Sequence, residues 1–217
     1  DELDQMNQDI LGFTPDRHGR LWTAGHGALR VLDPSDGWRT RAAYDLQGTP
    51  AALASGMNVV AALLPSSRSI MLFGDELDEQ QPLPPVEIDL PEQVSLQGKC
   101  RMDIDPATGS IAVWSEGAPD KIWNLRLVDE GAFAVEVISP AEGGIDSFQF
   151  DDQGRLGLMG DGTVRFLRRN EQGQWMAMSD HPLAGLGQQG AAPTGFRMMR
   201  SSNNLPSELP AKEYDNA

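Results

Sequence analysis

Three features of this 217-residue sequence predict an all-β fold, either a β-propeller of four to five blades or a segment of a larger propeller. First, 23 glycines and 15 prolines punctuate the chain, a density of turn formers that suits short strands and disfavours helical bundles. Second, the apolar runs between those turns are short, the longest being the six residues Val59 to Leu64. Third, the glycine of one recurring turn stands at 19, 109 and 154. The last two lie 45 residues apart and the first two 90, twice that. A period near 45 with about four strands per unit is the size of one propeller blade.

Residues 1–9 (DELDQMNQD) are polar and read as a lead-in. The propeller reading covers 10–200, in units of about 10–48, 49–98, 99–143 and 144–185, with a candidate closing strand at 196–200. Residues 201–217 are polar and broken by proline, the composition of a tail or linker.

The opening unit runs Phe13, then the turn Asp16-Arg17-His18-Gly19, then Leu21-Trp22. A second turn at Gly25-His26-Gly27 leads into Leu29-Arg30-Val31-Leu32, then Asp33 to Gly37 and Trp38. Arg39 to Leu46 alternates weakly and reads as a closing strand. Unit two is degenerate: Ala51 to Ala54, Met57 to Leu64 and Ile70 to Phe73 read as buried strands. An acidic surface loop, 74–85, precedes the alternation Val86, Ile88, Leu90. Unit three is clear, with Met102-Asp103-Ile104-Asp105, a Pro106 to Gly109 turn, Ile111 to Trp114, Ile122 to Val128 and Phe133 to Ile138. Unit four repeats unit one: Gly154-Arg155-Leu156 matches Gly19-Arg20-Leu21, Thr163 to Leu167 matches Ala28 to Leu32, and Trp175 matches Trp38.

The run Asp16-Arg17-His18-Gly19-Arg20-Leu21-Trp22, with Gly25, Gly27, Leu29, Asp33 and Pro34 after it, resembles a bacterial β-propeller repeat. The likeness is to repeats of two-component-regulator sensor ectodomains, and more distantly to WD40-like and NHL-like blades. It implies propeller architecture and carries no catalytic residues, because its motif positions are turn and packing positions. One departure is Gly157, which stands in unit four where Trp22 stands in unit one.

The net charge of −15 argues against nucleic-acid and anionic-membrane binding, which need a lysine and arginine surplus, and permits a basic protein partner. No apolar run approaches a membrane-spanning length, so no membrane insertion is expected. A single cysteine, Cys100, rules out an intrachain disulfide and fits a reducing cytoplasm, a disulfide-free periplasm or a virion equally. Asp103 and Asp105, beside Thr108-Gly109, faintly suggest a calcium loop, but Pro106 interrupts it and a third spaced acid is lacking. Aspartates capping their own turns are the plainer reading, as at Asp151-Asp152. His18, His26 and His181 show no ligand spacing.

No phosphate loop, nucleophile elbow or catalytic triad is legible, so the sequence predicts neither enzymatic activity nor a cofactor. Trp22 and Trp114 read as blade packing. Trp38 and Trp175 follow turns and, with Arg39 and Arg41, form the candidate partner-binding set. The expected function is a non-catalytic recognition or scaffold module that binds another protein through its loop face. The alternatives are a propeller enzyme, small-ligand or metal binder using the central channel, and a structural segment of a larger secreted, effector or virion protein.

Overall fold

The computed structural model describes residues 10–25, 27–77, 84–128, 132–139 and 144–182. The lead-in, the 196–200 strand, the 201–217 tail and His26 lie outside the described residues. Among the described residues, turn residues and alternating apolar runs produce sixteen strands in four antiparallel sheets, each a meander in chain order. The first sheet holds β1 (Gly12–Pro15), β2 (Leu21–Gly25), β3 (Ala28–Asp33) and β4 (Arg39–Asp45). The second holds β5 (Ala52–Gly56), β6 (Val59–Leu64), β7 (Ser69–Gly74) and β8 (Val86–Asp89). The third holds β9 (Cys100–Ile104), β10 (Ile111–Ser115), β11 (Ile122–Val128) and β12 (Ala132–Ile138). The fourth holds β13 (Ser147–Phe150), β14 (Leu156–Gly160), β15 (Thr163–Arg169) and β16 (Trp175–Pro182). A short 3-10 turn, Pro34–Asp36, links β3 to β4, and no described helix is long and apolar enough to cross a membrane.

Alternation decides the packing, because successive residues of a strand point to opposite faces of its sheet. Strand β6 shows it: Ala61 and Leu63 point to the third sheet, while Val60, Ala62 and Leu64 point to the first. Both sets are fully buried, so the strand reads as an unbroken apolar run. Among the described residues three apolar seams result. Trp22, Leu29 and Val31 meet Val60, Met71 and Phe73 between the first and second sheets. Leu63 and Ile70 meet Ile104, Ile111, Trp123 and Leu125 between the second and third. Trp114 and Ile122 meet Phe148, Phe150, Leu156 and Leu158 between the third and fourth. No such cluster among the described residues joins the fourth sheet to the first.

In a four-stranded meander the first and third turns share one end of the sheet. The turns at 16–20, 34–38, 57–58, 105–110, 151–155 and 170–174 therefore lie on one loop face, together with the start of the β7–β8 connection. A hydrogen bond from Asp75 N to Asn58 O (3.0 Å) ties two of these segments together.

Candidate functional site

Three turn aspartates end the innermost strands. Asp16 Oδ1 accepts from the backbone N–H groups of His18 (2.9 Å) and Arg20 (3.0 Å), and its Oδ2 from Arg20 Nε (2.7 Å) and Trp22 Nε1 (2.9 Å). Asp151 repeats the pattern, with Oδ1 accepting from the N–H groups of Gln153 and Arg155 and Oδ2 from Arg155 Nε. Asp105 accepts from Ala107 N (2.8 Å) and Thr108 Oγ1 (2.6 Å), and Asp103 Oδ2 from Phe150 N (2.6 Å) across the seam to the fourth sheet. Asp16, Asp105 and Asp151 organise their own turns, which satisfies them locally, whereas Asp103 ties the third sheet to the fourth. Among the described residues no group of three or more His, Cys, Asp or Glu side chains is placed to hold a metal ion.

The residues expected to bind a partner fall on two blades. Trp38 is the turn residue immediately before β4, the outermost strand of the first sheet, with its backbone at φ 65°, and is 48% exposed. Beside it the Arg39 side chain is 80% exposed, 3.9 Å from Asp36, and Arg41 pairs with Asp33 at 3.1 Å. The Asp33 carboxyl is held below the usual carboxylate range, chiefly by hydrogen bonds from Ser35. Trp175 occupies the matching position three sheets away and is half-buried in the third seam. Its Nε1 donates to Glu136 Oε2 (3.2 Å), and the Arg169 guanidinium lies 4.6 Å from its ring centroid. The structure therefore does not bring the four residues together.

A second arrangement on the loop face escapes sequence reading. The 74–85 connection is expected to be a surface loop, yet its early residue Asp75 is buried, with a side chain only 3% exposed. The first-sheet turn covers it. Arg17 Nε sits 2.9 Å from Asp75 Oδ2, Arg17 Nη1 donates to Asn58 Oδ1 (2.5 Å) and Nη2 to Glu76 Oε1 (3.0 Å). His18 Nε2 lies 3.9 Å from Asp75 Oδ2, and Arg20 Nη2 donates to the Asp75 carbonyl. Asp75 Oδ1 is buried and has no hydrogen-bond partner. Burial pushes the Asp75 carboxyl above the ordinary carboxylate range, against the opposing pull of Arg17 and His18. A buried carboxylate oxygen without a donor is uncommon and calls for a functional or structural reason. It is equipped to accept a hydrogen bond from an ammonium or guanidinium group, or to carry a proton.

No family model and no curated protein matches this chain. Solved structures match it in fold. Virginiamycin B lyase from Staphylococcus aureus superposes with a TM-score of 0.54 at 12% identity, over 78% of this chain and 55% of that one. The periplasmic gluconolactonase of Pseudomonas aeruginosa gives 0.54 at 15% identity, over 80% and 54%. The WD40 domain of Toxoplasma gondii coronin gives 0.54 at 10% identity, over 80% and 45%. These likenesses establish the β-propeller fold of the chain, which spans about half the length of the structures it matches. They also correct the expectation of no enzymatic activity. The structures sharing the fold include a lyase and a lactonase, so a missing sequence motif does not argue against catalysis, and fold alone assigns none.

Proposed function

We propose that this chain is a propeller recognition module whose loop face engages a protein partner, with the Asp75 cluster of the first and second sheets as its centre. The observation that carries the reading is the buried, donor-less Oδ1 of Asp75 at the head of an acidic connection. When the first-sheet turn that covers Asp75 through Arg17 moves aside, a lysine or arginine side chain from the partner supplies what that oxygen lacks, and a charge-assisted hydrogen bond of this kind is among the stronger polar contacts. The chain's net charge of −15 favours approach of a basic surface. Trp38, Arg39 and Arg41 extend the same face at the rim of the first sheet, with the exposed indole ring as an anchor.

The test is capture of the partner by the purified protein and its Asp75→Asn, Trp38→Ala and Lys121→Ala variants, the last on the opposite face. Loss of at least tenfold in affinity for Asp75→Asn, with Lys121→Ala unchanged, supports the reading. Equal binding by all four proteins overturns it.

A second reading rests on the raised Asp75 carboxyl. A carboxyl that burial pushes above the ordinary carboxylate range, beside an arginine and a histidine, suits general acid–base work on a small ligand. A turnover lost in Asp75→Asn, in the absence of any protein partner, selects it.

A further inference from the structure

We propose that the outward faces of the first and fourth sheets are incomplete blade–blade seams, each covered in the native protein by further four-stranded blades of the same polypeptide. The repeat itself says what belongs there. Counting back three residues from the turn aspartates Asp16, Asp105 and Asp151 gives Phe13, Met102 and Phe148. Met102 and Phe148 are buried against the preceding sheet, at 8% and 7% exposure, whereas Phe13, against which no sheet packs among the described residues, is 64% exposed. Leu21 is half-buried, while its counterparts Ile111 and Leu156 are buried in their seams.

The far end behaves the same way. Val164 and Phe166 match Leu29 and Val31, which are fully buried between the first two sheets; at the end of the series both are half-buried. Met176, opposite Arg168 on that outward face, is 52% exposed. In every interior case the covering element is another blade.

The size of the matched rings agrees. Four sheets correspond to 55% of the lyase chain and 54% of the lactonase chain, so a ring of that size holds about seven blades, and about three are to be added. The Asp75 cluster lies between two sheets already present and does not depend on this inference.

The test uses the native-length protein with Cys100→Ala, since Cys100 is the chain's one cysteine, and single cysteines at Phe13 or Phe166. Arg30→Cys and Arg168→Cys, at exposed polar positions on the same faces, guard against a folding defect. Maleimide labelling is timed for native and unfolded protein, and mass is measured by light scattering. Protection of roughly 100-fold at these sites, as expected of a packed interface, in a species of monomer mass supports the proposal when residues 1–217 alone label freely. Free labelling in the native-length protein overturns it. So does protection in a monomer of residues 1–217, which would mean the ring closes on itself, or protection only at doubled mass, which would mean a second copy fills the gap.

Discussion

Asp75 has one oxygen paired with Arg17 and the other without a donor, in a place closed to water. Its raised carboxyl makes stability depend on pH in a definite direction. The folded protein keeps the proton over a range in which the unfolded chain has already lost it. The stabilisation is therefore complete below the unfolded pKa and is lost as pH rises through the folded one. Asparagine cannot ionise, so the stability of Asp75→Asn relative to the parent should rise across that window and level off above it. Urea unfolding at a series of pH values checks this; a difference independent of pH would mean that Asp75 ionises normally. The sequence could not reveal Asp75, because its burial comes from Arg17 and Asn58, distant in the chain and brought close only by the packing of two sheets. The turn aspartates were legible because their partners lie two to four residues away. Trp175 was legible as an aromatic after a turn, but its tie to Glu136 is a tertiary event.

At the scale of elements, the recurrent turn between the first two strands of a blade carries the contact between blades. Gly154 has φ +71°, and a Cβ there would stand 2.8 Å from Asp105 Oδ1, so only glycine lets the turn of the fourth sheet approach that of the third. Gly19 has φ +76° with open space around it. Gly19→Ala should therefore cost about 1 kcal/mol from the left-handed backbone alone. Gly154→Ala should cost about 3 kcal/mol, adding the disturbed Asp105 hydrogen bonds. Denaturant midpoints of the two variants, read against the parent, give both numbers. Trp22 is fully buried, stacks on Tyr44 and donates to Asp16, joining the turn to the first seam. Trp22→Ala should cost about 3–5 kcal/mol, the range for a large core truncation. The strands themselves were readable in the sequence, since alternation and turn chemistry are local. The role of Trp22 in packing was readable too, because it sits on an apolar strand.

The described residues form four blades joined by three apolar seams, with their first and third turns gathered on one loop face. The blade repeat was legible from the glycine spacing and from the match of unit four to unit one. Which faces meet is decided by the packing of sheets, and the division of polar residues between the two loop faces emerges only from the meander topology. A partner docked as proposed covers this loop face at the junction of the first and second sheets. Hydrogen exchange on the protein with and without its captured partner tests this directly. Slowed exchange is expected at 16–20, 57–58 and 75–76, and unchanged exchange at 65–68, 91–98 and 116–121 on the opposite face. Protection confined to the opposite face, with the Asp75 region unchanged, would contradict it.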